Sequence, residues 1–489
     1  MNLSDLMTTS AQRHGERTAI RQGDTALTYL ALERASALVA GLLRAHGVRP
    51  GDRVGLMLPN VAYFPPCYYG ALRAGAAIVP MNVLLKEREV AFYMADSGAR
   101  VLFAWHEFAD AARAGARDAE VVVVEPGAFD ARVAGEEPSG TVDRDPADTA
   151  VILYTSGTTG TPKGAELTHA NLTENVAVSL ELFELGPDAV LLGALPLFHA
   201  FGQTCGLNAA MAAGGTLSLL PRFDAGKALG IIERDRVTVF EGVPTMYSAM
   251  LHHPEEVDTS SLQLCVSGGA AMPVEVLRAF ERRFECTVLE GYGLSETSPV
   301  ASFSRRDRER KPGSIGLPVR GVEMRVLDAS GGVGEIAIRG HNVMKGYWNN
   351  PEATAMAIDA DGWFRSGDLG RVDGDGYFFI VDRKKEMIIR GGFNIYPREI
   401  EEVLHEHPDV MEAAIVGVPH DELGEEVGAA VVLKPGHEAQ AEDIKRFVKE
   451  RVAAYKYPRH VWFEHALPKG PTGKILRREI KPPSLAGPG

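Results

Sequence analysis

The segment YTSGTTGTPKG, which runs from Tyr154 to Gly164, combines residue types that bind an anion. It ends an apolar strand-like run and supplies Ser and Thr hydroxyls, glycines and Lys163. Consecutive backbone N–H groups and hydroxyls in such a turn form a concavity for phosphate oxygens, and the lysine adds a positive charge. The common nucleotide loop has the spacing G-x-x-x-x-G-K-[ST], which this segment lacks. The residue types therefore favour a phosphate site of another kind, with a plain surface loop as the alternative.

Three further segments carry side chains suited to nucleotide chemistry. In GYGLSETS, the ring of Tyr292 can stack on a base, and Glu296 offers a carboxylate, the kind of oxygen ligand that Mg²⁺ prefers. Asp368 in GWFRSGDLG suits a pair of ribose hydroxyls. Lys474 follows a Pro- and Gly-rich turn in PKGPTGKILRREI, which can hold a long cationic side chain out into a cleft. Each signal is weak alone, because such turns occur in many folds.

His199 lies within the segment 189–221, which contains no Asp, Glu, Lys or Arg. A lone histidine among apolar residues is more often a core histidine than a catalytic one. The segment is long enough to span a bilayer, but a proline, polar residues and several glycines interrupt it. A buried wall of a large domain is therefore favoured over a membrane contact. The pair His405 and His407 lies on a charged helix, which indicates a surface position rather than a metal site.

These residues need elements to position them, and the pattern along the chain is that of an α/β fold. Short apolar runs typical of strands alternate with helical stretches, as in the strand at 53–60, the helix at 61–75 and the strand at 76–81. Such alternation predicts largely parallel sheets. Residues 315–340 differ, because two alternating runs flank a Gly-rich turn and predict antiparallel strands.

A domain boundary is predicted near residue 382, where an apolar strand passes into the charged stretch 382–386. Beyond it come a helix near 397–407, two strands and a second helix from Glu442, which together suit a compact domain. Its last part, 444–481, is basic within an acidic chain. Solvated helix faces explain this charge, and attraction of a polyanionic ligand is the functional alternative.

Composition limits the class of protein. The formal net charge of −14 argues against nucleic acid as a partner, because such affinity depends on neutralising phosphates. The 4 cysteines are far apart and form no C-x-x-C, which indicates buried thiols in a reducing compartment. The first twenty residues include an early aspartate and no apolar core, so no signal peptide is predicted. We expect a cytoplasmic protein, monomeric or homodimeric, with peripheral membrane contact if it has a fatty substrate.

What specifies the family is the joint occurrence of motifs in one order. They are YTSGTTGTPKG, LPLFHAFG, SGGAAM, GYGLSET, GEIAIRGHNVMKGYWNNPEAT, GWFRSGDLG, DRKKEMIIRGGFNIYPREIE and PTGKILRR. With this set the chain resembles the adenylate-forming superfamily of acyl- and aryl-CoA synthetases, adenylation domains and firefly-type luciferases. The resemblance covers nearly the whole chain, from residue 27 to Lys481, and is strongest to bacterial medium- to long-chain fatty acyl-CoA ligases.

The resemblance implies a large N-terminal domain of stacked α/β subdomains plus a β-rich subdomain, and a small mobile C-terminal α+β domain. Residues 1–382 correspond to the AMP-binding domain, 383–386 to a hinge and 387–489 to the associated C-terminal domain, with a disordered tail from about residue 482. The implied cofactors and co-substrates are ATP, Mg²⁺ and coenzyme A.

In this family a carboxylate attacks the α-phosphate of ATP, pyrophosphate leaves, and a thiol then displaces AMP from the acyl-adenylate. The resemblance implies a catalytic set, with Mg²⁺ bound by Glu296 and Thr155, and the set comprises Lys474, His199, Glu296 and Ser295. It implies ATP- and AMP-binding positions at Thr155, Ser156, Gly157, Thr158, Thr159, Gly160, Lys163, Gly269, Ala270, Gly291, Tyr292, Gly293, Asp368, Arg383 and Lys474.

The second half of the site is also implied by the resemblance. The hinge corresponds to Lys385, and the loop that lines the thiol channel corresponds to Gly391, Gly392, Phe393 and Asn394. The acyl pocket corresponds to His199, Phe201, Gln203, Val243, Met246, Gly268 and Gly291. These pocket positions carry no acidic or basic side chain that would pair an amino group or a second carboxylate. A medium- to long-chain fatty acid is therefore the first expectation. The alternatives are an aryl acid of the coumarate or benzoate type, transfer to a carrier protein instead of coenzyme A, and an inactive binding homologue.

Overall fold

The computed structural model describes residues 1–155, 161–391, 393–420 and 422–483. The helices in this part of the chain are α1 (Asp5–His14), α2 (Tyr29–Ala45), α3 (Phe64–Arg73), α4 (Glu87–Ser97), α5 (Ala109–Ala116), α6 (Ala128–Ala134), α7 (His169–Phe183), α8 (Ala209–Ala213), α9 (Ala225–Asp235), α10 (Pro244–Leu251), α11 (Val274–Phe284), α12 (Pro351–Ala357), α13 (Pro397–His405) and α14 (Ala441–Lys449). Short 3₁₀ turns and a π-helical segment, Gly202–Asn208, complete the helical structure.

The strands of the same ranges form four sheets. They are β1 (Thr18–Gln22), β2 (Thr25–Thr28), β3 (Arg53–Met57), β4 (Ala77–Pro80), β5 (Val101–Trp105), β6 (Glu120–Val124), β7 (Thr149–Thr155), β8 (Lys163–Thr168), β9 (Val190–Gly193), β10 (Thr216–Leu219), β11 (Val239–Gly242), β12 (Leu264–Ser267), β13 (Thr287–Gly293), β14 (Val300–Phe303), β15 (Leu317–Pro318), β16 (Val322–Ser330), β17 (Val333–Gly340), β18 (Gly346–Tyr347), β19 (Phe364–Val372), β20 (Phe378–Arg383), β21 (Ile388–Arg390), β22 (Phe393–Ile395), β23 (Val410–His420), β24 (Gly424–Leu433) and β25 (His460–Phe463).

The first sheet has parallel strands in the order β7-β4-β3-β5-β6, extended beyond β7 by antiparallel β8 and β18. The central strands are near-continuous apolar runs, as expected where helices cover both faces of a parallel sheet. Strand β8 is not among the elements that the sequence predicts, because the hydroxyl- and glycine-rich segment before it is typical of a loop. It pairs with β7 and brings Lys163 opposite Thr155.

The second sheet has parallel strands in the order β13-β12-β11-β9-β10-β1, with antiparallel β2 at one edge and β14 and β15 at the other. The uncharged segment 189–221 supplies β9, the π-helical segment, α8 and β10, and most of its side chains are buried. The prediction of a buried wall is therefore confirmed. Among the described residues, no helix combines the length and apolarity that crossing a membrane requires.

Buried polar groups join the two parallel sheets. Asn60, after β3, donates to the carbonyls of Gly193 (2.9 Å) and Leu195 (2.7 Å) near the end of β9. The Tyr69 hydroxyl of α3 donates to the Asn208 side chain of the π-helical segment at 2.8 Å. One continuous apolar core runs through both sheets, with members from Leu3 to Phe378. These hydrogen bonds fix how the two sheets meet, and the site lies at that junction.

The third sheet is antiparallel, in the order β16-β17-β19-β20, as the alternation at 315–340 predicted. The fourth combines β22-β21-β24-β23 with β25 and packs against α13 and α14 around its own apolar core, which includes Ile388, Ile400, Ile415 and Ile444. The α/β fold with a large N-terminal domain and a small C-terminal domain is thus confirmed. The boundaries at 382 and 387 stay a prediction.

Candidate active site

Two adjoining cavities open where strands of all three N-terminal sheets end. The smaller has a volume of about 220 Å³ and the larger about 770 Å³. Their shared lining comprises Val243, Gly269, Gly291, Tyr292, Gly293, Arg383 and Lys474. In open α/β sheets such crevices at the carboxyl ends of strands are the usual place for ligands. Most predicted site residues that the structure describes lie on these walls.

Asp368 is the polar centre of the smaller cavity and is only 3% exposed. Tyr292 donates its hydroxyl to Oδ2 at 2.7 Å, and Arg383 Nε lies 3.0 Å from Oδ1. Asp368 and Arg383 are direct neighbours across β19 and β20, so the sheet register fixes their pairing. Burial, together with the Asp368 carboxylate, raises the pKa of Tyr292, so its hydroxyl remains a donor. Gly269 and Ala270 line the same cavity, and this arrangement suits a nucleoside, whose hydroxyls would face Asp368.

Glu296 offers a carboxylate to the larger cavity and is 9% exposed. Its Oε1 accepts hydrogen bonds from Thr155 Oγ1 at 3.2 Å and from the Tyr347 hydroxyl at 3.1 Å. No group of at least three His, Cys, Asp or Glu that could hold a metal occurs in the part of the chain that the structure describes. Mg²⁺ in nucleotide sites commonly uses one or two protein oxygens and completes its shell with phosphates and water. The oxygen donors of Glu296 and Thr155 therefore fit Mg²⁺ that arrives with a nucleotide.

Lys163 lies on the same side of the larger cavity. Its Nζ sits 5.3 Å from the centre of the Tyr347 ring, and strand β8 holds it opposite Thr155. Ser295 also lines this cavity, one residue before Glu296. The remaining loop positions Ser156, Gly157, Thr158, Thr159 and Gly160 lie outside the described residues.

Lys474 reaches from the C-terminal domain into both cavities. The Thr245 hydroxyl of α10 donates to the Gly473 carbonyl at 2.7 Å, which seats the turn before the lysine against the N-terminal domain. Gly473 has φ +82°, and an added Cβ would lie 3.0 Å from Val243, so a side chain there would be strained and crowded. Burial, together with the Arg383 cation, lowers the pKa of Lys474 to about 8, so the lysine is mostly charged at neutral pH.

His199 lines the larger cavity near Lys474. Burial and the nearby Lys474 charge lower the pKa of His199 to about 4, so its imidazole is neutral at neutral pH. Its Nδ1 accepts the backbone N–H of Phe201 at 3.3 Å, which leaves Nε2 as the ring nitrogen able to carry the proton. His199 is thus suited to donate a hydrogen bond rather than to hold a charge.

Beyond His199 the larger cavity becomes apolar. Neighbouring aromatic rings pack closely against Gly268 and Gly291. An added Cβ would lie 2.9 Å from the Phe201 ring at Gly268 and 2.8 Å from the Phe303 ring at Gly291. This deep end is lined by Phe183, Phe201, Cys205, Val266, Val300 and Phe303, all of them buried.

Two predicted pocket residues are not on this wall. Gln203 is fully buried and turns its amide towards the Leu197 carbonyl, 3.2 Å away. Met246 is buried on α10 and is absent from the lining of both cavities. Sequence reasoning missed Phe183, Val266, Val300 and Phe303, which no motif marks. Their only sequence signal was membership of apolar helices and strands, which many core residues share.

The loop implied for the thiol channel is absent from the lining of both cavities, whereas the hinge position Lys385 lines the larger one. Gly391, Phe393 and Asn394 belong to the β21–β22 hairpin, where Phe393 is 56% exposed and stacks on Tyr455 with ring centres 4.9 Å apart. Gly392 lies outside the described residues. The structure thus presents the Lys474 face of the C-terminal domain to the site, and not the hairpin.

The prediction that His405 and His407 form a surface pair is wrong. His407 is 8% exposed and packs against the Phe447 ring, while His405 lines the smaller cavity. The charged residues predict a solvent-exposed helix, but the inner face of this helix covers the domain core and part of the cavity.

Comparison with known proteins places this geometry in a family. The model of the AMP-binding enzymes matches residues 7–348, and that of the AMP-binding enzyme C-terminal domain matches residues 399–474. The chain is 42% identical to a feruloyl-CoA synthase of an Amycolatopsis species over 95% of both chains. It is 38% identical to a long-chain-fatty-acid–CoA ligase of Bacillus subtilis, over 98% of this chain and 94% of the relative.

Solved structures agree. An anthranilate CoA ligase in complex with anthranoyl-AMP superposes with a TM-score of 0.92 at 29% identity, covering 98% of this chain and 96% of that one. A benzoate CoA ligase from Burkholderia xenovorans gives a TM-score of 0.91 at 30% identity, covering 98% and 99%. ATP, Mg²⁺ and coenzyme A, which the sequence predicted, are the cofactors and co-substrates of such ligases. The chain therefore belongs to the adenylate-forming, AMP-binding enzyme family, and within it to the acyl- and aryl-CoA ligases.

Proposed function

We propose that this chain is an AMP-forming fatty acyl-CoA ligase whose preferred substrate is a medium-chain acid. The observation that carries the proposal is the larger cavity, which joins Thr155, Lys163 and Glu296 at one end to an uncharged apolar pocket at the other. Lys474 and His199 stand where the two parts meet. A carboxylate at this junction would lie beside an ammonium group, with its hydrocarbon chain in the pocket and a nucleotide phosphate on its other side.

In the first half-reaction a carboxylate oxygen attacks the α-phosphorus of ATP, the bond to the β-phosphate oxygen breaks, and pyrophosphate leaves. Lys474 holds the carboxylate and the α-phosphate together, because its positive charge attracts both groups. This attraction strengthens as the phosphate gains negative charge in the transition state. Lys163 and Thr155 hold the departing phosphates. Mg²⁺ held by Glu296 and Thr155 would supply further positive charge to these oxygens.

In the second half-reaction the thiol of coenzyme A attacks the acyl carbonyl, the bond to AMP breaks, and the thiol proton passes to solvent. Lys474 occupies the junction during the first step. We propose that the C-terminal domain, residues 387–489, rotates about the hinge 383–386 to withdraw it. The loop from Gly391 to Asn394 would then line the path of the thiol. The exposed position of Phe393 supports this, because the hairpin is accessible on the outside of the domain.

A medium-chain acid is favoured over a long one because the apolar lining includes fully buried side chains, Cys205 and Val266, which limit the room for a longer chain. The second candidate is an aryl acid. Three phenylalanines (Phe183, Phe201 and Phe303) surround the deep end, and flat aromatic walls suit a flat substrate ring. Similarity to a feruloyl-CoA synthase also supports this candidate.

The four buried free thiols (Cys67, Cys205, Cys265 and Cys286) support a reducing, cytoplasmic location.

The substrate is tested with a panel of acids from acetate to stearate, plus benzoate, coumarate and ferulate. Each is incubated with ATP, Mg²⁺ and coenzyme A, and the thioester is detected by mass. We expect the highest kcat/KM near octanoate to dodecanoate. A maximum at coumarate or ferulate would show that the preferred substrate is an aryl acid and not a fatty acid. Thioester formation from none of the acids would contradict the proposed ligase activity.

A further inference from the structure

The helix α13 contacts the N-terminal domain through two charged side chains one turn apart. Arg398 and Glu402 are at positions i and i+4, so they share one helix face, and both line the smaller cavity. Neither belongs to the residues assigned to nucleotide, acid or thiol. Their partners lie on the other side of the hinge 383–386.

Arg398 is the stronger of the two contacts. Its Nη1 donates to the Ile380 carbonyl at 2.6 Å and its Nη2 to the Gly313 carbonyl at 3.4 Å. Its backbone N–H donates to Asp382 Oδ2 at 3.2 Å. The side chain is 12% exposed, so these bonds are largely shielded from water. Hydrogen bonds from a charged donor are worth about twice neutral ones, and a shielded guanidinium without acceptors would be costly.

Glu402 caps a helix of the other domain. Its Oε2 accepts the backbone N–H of Val274 at 3.4 Å, at the first residue of α11. The N-cap residue of α11 is Pro273, which has no side-chain acceptor of its own. The first N–H groups of a helix lack internal partners and attract negative charge. A carboxylate from the C-terminal domain therefore supplies what the local sequence does not.

The two contacts support each other around a third group. Arg398 Nε lies 3.7 Å from Glu402 Oε1, so the arginine holds the cap in place. Glu290 of β13 is buried behind them, and its Oε1 accepts the Met272 N–H at 3.4 Å. Burial raises the pKa of Glu290 to about 7. The Arg398 cation lowers this pKa, and the Glu402 carboxylate raises it further. Without Arg398, two carboxylates would face each other with no cation between them.

Lys474 belongs to the same domain as α13, and the bond from Thr245 to the Gly473 carbonyl seats it on a different part of the interface. Rotation about the hinge would break both sets of contacts. We infer that Arg398 and Glu402 are positioning residues, which hold the C-terminal domain in the arrangement that keeps Lys474 in the site and so favour adenylation over thioester formation. The two half-reactions in this inference rest on the proposed function.

The test compares Arg398→Gln and Glu402→Gln with matched controls on α14, Arg446→Gln and Glu442→Gln. The control side chains pair within their own helix, Arg446 with Asp443 and Glu442 with Lys445. ATP–pyrophosphate exchange without coenzyme A reports the first step, and thioester formation from supplied acyl-adenylate reports the second.

Exchange should fall about tenfold in Arg398→Gln, the effect of losing one shielded charged hydrogen bond, and less in Glu402→Gln. The second step should be unchanged or faster, because the competing arrangement becomes more populated. Arg398→Lys should recover part of the exchange rate.

Deuterium uptake gives a readout that needs no activity. In the ligand-free protein, the peptide that begins at Val274 should exchange faster in both variants than in either control. If the wild type exchanges no pyrophosphate with any acid, the proposed function fails, while this uptake still decides the inference. Unchanged uptake and exchange in Arg398→Gln, or equal loss of both half-reactions, would overturn it. A thermal unfolding midpoint for each variant identifies any general loss of folding, in which case the milder Glu402→Gln carries the comparison.

Discussion

The two halves of the larger cavity are built in opposite ways. The nucleotide half consists of polar side chains on turns and strand ends, among them Thr155, Lys163 and Glu296. Thr155 donates a hydrogen bond to Glu296, and strand pairing holds Lys163 opposite Thr155. The acyl half consists of apolar side chains, chiefly from α7, β12, β14 and the π-helical segment, that are held mainly by packing. Hydrogen bonds demand particular atoms at particular places, whereas packing demands only volume and shape. The first half is therefore suited to an invariable ligand and the second to a ligand that varies among relatives.

Substitutions in each half test this difference. Changes in the nucleotide half should slow adenylation equally for every acid. Changes in the acyl half should alter which acid is used and leave the KM for ATP unchanged.

The largest effect is expected from Lys474→Ala. Removing the cation proposed to bridge the carboxylate and the α-phosphate should lower pyrophosphate exchange by about 10³-fold, the loss typical of one preorganised charge-stabilising group. Thioester formation from supplied acyl-adenylate should be largely spared, because that step does not use the lysine. Equal loss of both steps would remove Lys474 from its assigned role.

Glu296→Gln should be the next in size. The amide keeps the shape but not the charge that Mg²⁺ needs, so exchange should fall by about 10²-fold, several kcal/mol of charge stabilisation. Raising the Mg²⁺ concentration should recover part of the rate for all acids alike. Glu352→Gln on α12 is a control at an exposed carboxylate and should behave as wild type. A Glu296 variant that needs no additional Mg²⁺ would argue against the metal role.

The pH dependence of adenylation should follow Lys474. Because its pKa is lowered to about 8, its charge is lost as pH rises above that value, and exchange should fall about tenfold per further pH unit. Lys474→Arg would start from a lower rate but keep its charge, so its profile should be flat between neutral pH and pH about 10. A wild-type profile that is flat over the same range would show that this charge is not needed.

The smallest effect, and the one that defines the acyl half, is expected from Gly268→Ala. The new methyl group would lie 2.9 Å from the Phe201 ring, so the pocket must narrow or shift. The KM for the preferred acid should rise about fivefold, in line with the cost of overpacking, while the KM for ATP is unchanged. Adding Phe201→Ala should restore room and move the preference to bulkier acids. A raised KM for ATP would show that the two halves are not separable.

The same contrast explains what the sequence could and could not predict. Asp368, Arg383 and Glu296, which the sequence singled out, line the cavities, because each lies in a short motif whose local turn and register orient its side chain. Their roles in binding and catalysis stay predictions. Phe183 and Phe303 were missed because their role depends on two sheets meeting, which no local pattern records. The hydrogen bond from Thr245 to the Gly473 carbonyl could not be predicted from the sequence either, because it joins residues from two domains. Strand β8 was missed because the run of hydroxyls and glycines before it predicts a loop, whereas pairing with β7 decides the outcome.

The central claim is that one cavity joins a nucleotide site to an apolar acid pocket through Lys474. The most direct test is ATP–pyrophosphate exchange without coenzyme A, run with the acid panel and with mass detection of the acyl-adenylate. We expect exchange that depends on the acid, an adenylate of matching mass, and loss of both in Lys474→Ala. Exchange with no carboxylic acid, or equal exchange in Lys474→Ala, would contradict it.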